Sequence, residues 1–310
     1  MPNKILIVHL GALGDLLLSR PALLAIRMRF PQAEIDFLGY PHLTSLIKCE
    51  MRIRHTYNIE YTKENEKFWY NYDLFIFFAR KNYPAWEKVL TFAPSIFIKT
   101  IPPSEVNLPV FQFQLQQLHK QGFEIPSEFP SLSLPPAEIS LNICPDFLIH
   151  PGSGSPSKNW PPAYFAEVIK AFSQWNPGLI IGPADRKVAE KVLFFLGNTK
   201  PQLLEKIILL RQLPLLTLAT IISKVRFFLG NDSGISHLAA ALGVPSFVIF
   251  GPTNVNIWKP WGREVRTFIP KVSCAPCSDE ERRNCLERIC LQSIYPHQVI
   301  KKLKNELQYK

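Results

Sequence analysis

Short apolar runs alternate with segments of helical periodicity along most of the chain, and this alternation constrains the fold more than any other feature. The first run, Lys4–His9, breaks into Gly11 and Gly14, and apolar residues at helical spacing follow from Leu16 to Phe30. A run that is apolar on both faces is typical of a strand inside a parallel sheet. Strand followed by helix, repeated along the chain, predicts a doubly wound α/β fold.

The same alternation occurs in both halves of the sequence. The first half has further candidate strands at 33–38, 73–79 and 95–98, and candidate helices at 42–49, 84–90 and 110–121. Residues 122–145 are rich in Pro and Ser and have no sustained period, as in a linker. The alternation then resumes with candidate strands at 146–150, 179–181, 206–210, 225–229 and 246–250, and candidate helices at 161–175, 184–197, 215–223, 234–242 and 296–309. We therefore predict two α/β domains, 1–140 and 141–310, with a last helix that could cross back to the first domain.

Composition excludes several classes of protein. Hydrophobic residues are 47% and charged residues 19% of the 310, which is enough apolar material for full cores. No apolar run reaches the ~18 residues of a membrane span, and the start lacks the long apolar core of a signal peptide. Six cysteines are too few for a disulfide scaffold, so we expect a cytoplasmic protein rather than a secreted miniprotein, coiled coil or membrane protein. The net charge of +10 predicts attraction to phosphates, anionic lipid or nucleic acid.

The first candidate site is the strand-to-helix turn that ends at Asp15. Its two glycines allow a tight turn, and the helix that follows presents free N–H groups at its start. The dinucleotide fingerprint Gly-x-Gly-x-x-Gly is absent, which disfavours an NAD-dependent dehydrogenase. Asp15 has two interpretations: its charge favours the helix start, or it faces a cleft as a general base for a sugar hydroxyl.

The second candidate site is the segment 150–161, which again follows a strand and precedes a helix. Small and hydroxylated residues such as Ser153 and Gly154 permit close backbone approach to a ligand, and Lys158 adds a cation. The order of residues is not that of a Walker A motif. An ordinary turn rich in Gly, Ser and Pro is the alternative interpretation.

The third candidate site is the segment 229–245. Asn231, Asp232 or Ser233 could cap a helix that starts at Gly234, and His237 falls one turn further on. A capped helix at the carboxyl end of a strand is suited to bind a diphosphate. A structural role for a lone histidine is the alternative.

A fourth feature is a cysteine cluster with the spacing C-x2-C-x7-C-x4-C, formed by Cys274, Cys277, Cys285 and Cys290. Four thiolates could bind a structural zinc ion, but the second pair is spaced more widely than in common zinc knuckles. Free or redox-active thiols are the other interpretation.

Three of these motifs occur in the same order in a known family. The Gly-x-x-Gly-Asp turn, the loop His-Pro-Gly-Ser…Lys-x-Trp-Pro and the segment Asn-Asp-Ser-Gly-x-x-His-Leu-Ala-Ala-Ala resemble family 9 glycosyltransferases, the lipopolysaccharide heptosyltransferases. The resemblance runs from Ile5 to about Trp261. It implies a GT-B fold, in which two Rossmann-like domains face each other across a cleft, with the acceptor on the N-terminal domain and the nucleotide-sugar on the C-terminal one.

The resemblance also implies an activity and a set of roles. The activity is inverting transfer of heptose from ADP-heptose to the inner core of lipopolysaccharide. The residues themselves predict no catalytic metal, because neither Asp-x-Asp nor His-x-x-x-His occurs, and we expect no cofactor. Asp15 matches the family's catalytic base, and Lys158 matches its diphosphate-binding lysine. Other positions match the donor-binding segments: Ser153, Gly154, Asp232, Ser233, Gly234 and His237. Some members have a ribose-binding Glu where this chain has Ala184 and Asp185, so Asp185 is a substitute candidate and the nucleotide of the donor stays open.

The partners implied are a nucleotide-sugar, a lipid A-linked oligosaccharide acceptor and the anionic cytoplasmic face of the inner membrane, which a basic protein could visit. Nucleic-acid binding is not expected, because the basic residues are scattered and no recognised motif occurs. Two alternatives remain: a family 9 transferase with another donor or acceptor, and a non-catalytic binder of nucleotides or anions. The sequence leaves open whether the first or second heptose is added, and the oligomeric state.

Overall fold

The computed structural model describes residues 2–64, 66–80, 91–136 and 144–308. The chain divides into two compact units, Met1–Ala137 and Glu138–Lys310. The helix predicted at 84–90 lies outside the described residues. Within the described ranges, no helix combines the length and the hydrophobicity that crossing a membrane requires.

The first unit contains a five-stranded parallel sheet in the order β3-β2-β1-β4-β5. Its strands and helices, in chain order, are β1 (Lys4–His9), α1 (Leu13–Arg29), β2 (Glu34–Leu38), α2 (Pro41–Thr44), α3 (Lys48–Met51), β3 (Ile53–Tyr57), α4 (Ile59–Glu64), β4 (Leu74–Ala79), β5 (Ser95–Lys99) and α5 (Val110–Lys120). The central strands β1 and β4 are almost fully buried apolar runs, as the sequence predicts. The strand β3 was not predicted, because it is a partly exposed edge strand with the polar sequence Ile-Arg-His-Thr-Tyr.

The single helix predicted at 42–49 is wrong, since two short helices, α2 and α3, occupy this region. The hydroxyl of Thr44 donates to the Pro41 carbonyl at 3.2 Å, and that of Ser45 donates to the His42 carbonyl at 2.9 Å. Hydroxyl groups that bond to nearby backbone carbonyls compete with regular helical structure. The helix therefore stops after one turn and begins again at Lys48.

The second unit contains a six-stranded parallel sheet in the order β11-β10-β9-β6-β7-β8. Its elements are β6 (Phe147–His150), α6 (Pro162–Ala171), β7 (Pro177–Ile181), α7 (Arg186–Thr199), β8 (Ile208–Arg211), α8 (Leu215–Ile222), β9 (Phe227–Asn231), α9 (Gly234–Ala241), β10 (Ser246–Ile249), α10 (Val255–Trp258), β11 (Val265–Phe268), α11 (Asp279–Asn284), α12 (Ile289–Gln292) and α13 (Pro296–Gln308). Helix α13 packs against α6 and buries Val299 and Leu303 in the core of this unit. Its return to the first domain stays a prediction.

Each sheet has one point at which the strand order reverses. The chain builds β1, β2 and β3 outward in one direction and then places β4 on the other side of β1. In the second unit β6, β7 and β8 run one way, and β9 starts the other way beside β6. At such a switch point the loops that follow the two neighbouring strands (β1 and β4, or β6 and β9) run in opposite directions. They leave a crevice for ligands between them. All three predicted phosphate or sugar turns follow β1, β6 or β9, and so lie at these two points.

Candidate functional site

A pocket of about 240 Å³ lies at the switch point of the first sheet. It is lined by the last residues of β4, by residues that follow β1, β4 and β5, and by the start of α1: Leu10, Gly11, Ala12, Asp15, Phe78, Ala79, Arg80 and Thr100. The strand register explains why these residues share one pocket. His9 pairs with Phe78 and Ala79 pairs with Lys99, so β1, β4 and β5 end side by side.

Asp15 is half-buried in the first turn of α1 and lines this pocket. The backbone N–H of Ala12 donates to its Oδ2 atom at 3.0 Å. No hydrogen bond to the other oxygen, Oδ1, occurs within the described ranges. The backbone of the turn lies close to the Asp15 side chain, since a Cβ atom on Gly11 would lie 2.6 Å from Asp15 Cβ. One oxygen of Asp15 thus supports the helix start, and the other is available to accept a proton, so the two interpretations of this residue are compatible.

A buried histidine holds the turn in place behind Asp15. The Gly11 N–H donates to Nδ1 of His9 at 3.3 Å, and Nε2 lies 3.1 Å from the hydroxyl of Ser19. Burial lowers the pKa of His9 to about 4, although the negative charge of Asp15 acts in the opposite direction. His9 is therefore neutral near pH 7, with its proton on Nε2, and the bond to Gly11 fixes the backbone that leads into α1.

At the switch point of the second sheet, a buried amide organises the loop of the second motif. The side chain of Asn231 donates to the carbonyls of Pro151 at 2.8 Å and Gly152 at 3.2 Å, and accepts from the N–H of Trp160 at 2.9 Å. Trp160 is itself fully buried and donates to the Ile294 carbonyl at 2.9 Å. Both ends of the loop are thus fixed to the end of β9.

The cation of this loop is paired with the acidic residue of the third motif. Lys158 Nζ lies 3.1 Å from Oδ2 of Asp232, and the hydroxyl of Thr253 donates to the same oxygen at 2.8 Å. Asp232 is 6% exposed, whereas Lys158 is half-buried and so can reach solvent or a ligand. Bringing these groups together requires β6 and β9 to be neighbours, with β10 next to β9.

Asp185 lies inside the second unit, at 6% exposure. Its Oδ2 accepts from the Gly182 N–H at 2.9 Å and lies 3.0 Å from Nε2 of His150. Burial opposes ionisation of this carboxyl, but the bonds from His150 and Gly182 outweigh it and keep the pKa of Asp185 below its usual value. A Cβ on Gly152 would overlap the Asp185 carboxylate. The geometry gives Asp185 a part in fixing this loop, and its predicted contact with ribose stays a prediction.

The helix start of the third motif is formed as expected. The hydroxyl of Ser233 accepts from the Ser236 N–H at 3.4 Å and lies 3.3 Å from Nδ1 of His150, and α9 begins at Gly234. His237 is buried in the first turn of α9, where its N–H donates to the Ser233 carbonyl at 3.2 Å.

The two small residues of the second motif, Ser153 and Gly154, differ in burial: Ser153 is buried and Gly154 is exposed. The hydroxyl of Ser153 donates within its own loop, to Asn159 Oδ1 at 2.7 Å. Gly154 is exposed, with open space around the position of a Cβ.

The four clustered cysteines differ in their exposure, and a structural zinc ion bound to them stays a prediction. Cys274 is exposed, Cys290 is buried, and Cys277 donates to the Cys274 carbonyl at 3.1 Å. Over the described ranges, no group of three or more His, Cys, Asp or Glu side chains is placed to hold a metal ion. Burial raises the pKa of the Cys277 and Cys290 thiols.

The predicted residues therefore fall into two groups, one in each unit. Lys158, Asp232 and Ser233 meet at the second switch point, whereas Asp15 lies at the first. Sequence reasoning named Asn231 only as a candidate helix cap, whereas Ser233 is the cap and the Asn231 amide fixes the loop. It assigned no role to several other residues of these groups: His9, Arg80, Thr100, His150 and Thr253. What these residues share is their position, since each ends or follows a strand that forms a switch point or pairs with such a strand. This position is known only once the strand order is known.

The chain matches known proteins over both units. The sequence model described as glycosyltransferase family 9 (heptosyltransferase) matches residues 109–286, which is more than half of the chain. Lipooligosaccharide heptosyltransferase 2 of Campylobacter jejuni is 31% identical over 166 residues, covering 52% of this chain and 50% of the relative. Lipopolysaccharide heptosyltransferase 1 of Pseudomonas aeruginosa is 32% identical over 124 residues, covering 39% of this chain and 33% of the relative. The matched part thus spans about half the length of the first curated relative and a third of the second.

The fold extends further than the sequence similarity. The structure of Escherichia coli ADP-heptose LPS heptosyltransferase II superimposes with a TM-score of 0.78 at 20% identity, covering 99% of each chain. At this identity the similarity concerns the fold alone. It confirms the predicted fold class, GT-B, with its two α/β domains built on parallel sheets.

Proposed function

Since the chain belongs to glycosyltransferase family 9 (heptosyltransferase), we propose that it transfers heptose from ADP-heptose to the inner core of lipopolysaccharide with inversion at the anomeric carbon. The observation that carries this proposal is Asp15, a carboxylate that is fixed through one oxygen while the other is available in a pocket at a switch point. A carboxylate so placed suits the one proton transfer that this chemistry requires.

In the proposed reaction an acceptor hydroxyl gives its proton to Asp15 Oδ1. The oxygen attacks the anomeric carbon of heptose, and the bond from that carbon to the diphosphate oxygen breaks from the opposite face. ADP leaves with the electron pair of that bond, so one proton and one sugar are transferred in each turnover.

The departing diphosphate needs positive charge, which the second unit offers from two sources. Lys158 supplies an ammonium group, and its present partner Asp232 retains the bond from Thr253 when the lysine turns to a phosphate. The start of α9 supplies backbone N–H groups next to Ser233. We propose that these groups act without a divalent metal, so that activity survives a chelator.

We further propose that the protein works at the cytoplasmic face of the inner membrane. The acceptor of a lipopolysaccharide heptosyltransferase is anchored there by its lipid A part. The net charge of +10 supports a peripheral contact with anionic lipid.

A direct assay tests the proposed function. Purified protein is incubated with ADP-heptose and with acceptors that end either in Kdo or in heptose. Each reaction is run with and without EDTA, and the masses of the products are measured by mass spectrometry. We expect one heptose added and one ADP released, with or without EDTA. A panel of other nucleotide-sugars serves as the control for donor identity. Transfer from one of those, with none from ADP-heptose, would establish the alternative family 9 activity.

A further inference from the structure

A chain of buried hydrogen bonds crosses the carboxyl edge of the second sheet and ends at the start of α9. Oδ2 of Asp185 lies 3.0 Å from Nε2 of His150, and Nδ1 of the same ring lies 3.3 Å from the hydroxyl of Ser233. The three residues come from three adjacent strands, because Asp185 follows β7, His150 ends β6 and Ser233 follows β9. All three are buried. The chain therefore links the interior of the second unit to the proposed diphosphate site.

The positions of the protons along this chain follow from its two ends. Burial opposes ionisation of Asp185, but its hydrogen bonds keep the pKa of this carboxyl below its usual value, so it accepts the proton on Nε2 of His150. At the other end, the hydroxyl of Ser236 donates to the Asn231 carbonyl, and the Ser236 N–H donates to the Ser233 oxygen at 3.4 Å. The Ser233 hydroxyl is then the donor that faces Nδ1 of a neutral ring.

The charges around this chain do not suit an anion while His150 is neutral. The neighbouring strands, loops and helices contribute the following charged or titratable side chains: Asp185 before α7, Lys158 after β6, Asp232 after β9, His237 in α9, and Arg288, which donates to the Pro156 carbonyl of the loop at 2.9 Å. Lys158 is paired with Asp232, whereas Asp185 has only the ring of His150 as an ionisable partner within the described ranges. A buried carboxylate beside a neutral ring repels a diphosphate that binds nearby.

We propose that binding of the donor diphosphate brings one proton onto Nδ1 of His150, so that Asp185, His150 and Ser233 act as a positioning relay. This inference rests on the proposed function, because it uses the proposed diphosphate site. In the bound state the Nδ1–H group donates to the Ser233 oxygen, and the Ser233 hydroxyl turns its own hydrogen to a phosphate oxygen. The charged ring compensates Asp185, and the negative diphosphate favours the charged ring in turn.

The proton balance of this step is simple. One proton enters from the solvent for each diphosphate that binds, and one returns to the solvent when ADP departs. Asp185 stays ionised throughout. Ser233 keeps one hydrogen throughout, since it exchanges an acceptor on the ring for an acceptor on the phosphate. Its oxygen accepts from the ring and from the Ser236 N–H, which uses both of its lone pairs.

The direct test counts these protons by calorimetry. A fluorinated ADP-heptose and the panel of other nucleotide-sugars are titrated into the wild type at about pH 7.5, in buffers with different enthalpies of ionisation. The slope of the binding enthalpy against the buffer enthalpy gives the protons taken up, since a diphosphate that carries a sugar does not itself titrate near neutral pH. We expect about 0.5 to 1 proton for each ligand bound. The affinity should then be about 3- to 10-fold weaker at pH 8 than at pH 7.

Variants assign the proton to the relay. His150→Gln should take up less than about 0.2 proton and lose the pH dependence of its affinity, whereas His297→Gln, at an exposed histidine of the same unit, should behave as the wild type. Asp185→Asn keeps the shape of the carboxylate without its charge, and it should lower the proton uptake by about half or more. Ser233→Ala should weaken binding about tenfold, and Ser233→Thr, which keeps a hydroxyl, should restore it to within about threefold.

Binding and transfer together separate this inference from the proposed function. Proton uptake that depends on His150 supports the relay even when no heptose is transferred, or when another nucleotide-sugar binds, in which case only the proposed function fails. Heptose transfer by a wild type whose donor binding takes up no proton overturns the relay and leaves the proposed function in place. Unchanged proton uptake in His150→Gln or in Asp185→Asn overturns the relay as well, as does a wild type that binds no nucleotide-sugar.

Discussion

The two switch points of this protein are built differently, although both lie at the carboxyl ends of neighbouring strands in a parallel sheet. At the first, Asp15 keeps one oxygen available, and the histidine behind it is neutral and buried. At the second, Lys158 is paired with Asp232, and His150 is hydrogen-bonded to Asp185. The first site presents a reactive group with little reorganisation, whereas a ligand at the second must take Lys158 from an existing partner. This contrast is consistent with the proposed roles of the first site as proton acceptor and of the second as diphosphate site.

The largest expected effect comes from Asp15→Asn, which keeps an oxygen for the Ala12 N–H but cannot take a proton. We expect the rate of heptose transfer to fall by about 10²–10⁴. The affinity for ADP, measured by calorimetry, should be unchanged, because the groups that we propose to bind the donor belong to the other unit. Near-normal turnover in this variant would remove Asp15 from the reaction and with it the contrast between the sites.

The second site should depend on its buried amide for stability. Asn231→Ala leaves two carbonyls and one N–H of the loop without a partner, so we expect unfolding in urea to require about 3–4 kcal/mol less than in the wild type. The exposed Asn256→Ala is the matched control and should change the unfolding free energy by less than about 0.5 kcal/mol. Equal stabilities of the two variants would show that the loop is held by other contacts.

The buried His9 of the first site should make the free energy of unfolding depend on pH. The folded-state pKa of His9 is about 4, below its unfolded value of about 6.5, so the unfolded state binds more protons between these values. Stability should therefore rise from pH 4 to 6.5, with about 2–3 kcal/mol of the rise due to His9. His9→Gln should lose this part of the slope, and the exposed His119→Gln should keep it. Identical slopes in all three proteins would mean that His9 titrates normally.

The smallest effect concerns the paired lysine. Lys158→Met should weaken ADP binding only about tenfold, because in the free protein the ammonium group must first leave Asp232. Lys170→Met removes a half-buried lysine that pairs with Glu167, and it serves as the control for charge. If calorimetry gives the same ADP affinity for both variants, Lys158 does not contact the diphosphate.

The sequence predicts the parts of these sites that depend on local pattern. Fully buried strands such as β1 and β4 are read from their apolar runs, and the turns after them are read from their small residues. The capped start of α9 follows from the order of residues around Ser233. These features need only neighbours in the chain.

Other parts depend on which strands become neighbours. The bond from Thr253 to Asp232 joins residues that follow β10 and β9, and the pairing of Lys158 with Asp232 needs β6 beside β9. Arg80 belongs to no motif. Its position in the same pocket as Asp15 follows only from the place of β4 between β1 and β5. The edge strand β3 was missed for a related reason, since half-exposed strands carry no apolar run.

The central claim is that Asp15 and the donor groups of the second unit act on one pair of substrates. The most direct test is a structure of the protein with an unreactive donor analogue, such as a fluorinated ADP-heptose, and an acceptor that ends in Kdo or in heptose. We expect Asp15 Oδ1 within about 2.6–3.2 Å of the acceptor hydroxyl, with Lys158 Nζ on the diphosphate. A donor bound beside Lys158 while the acceptor hydroxyl lies out of reach of Asp15 would contradict the claim.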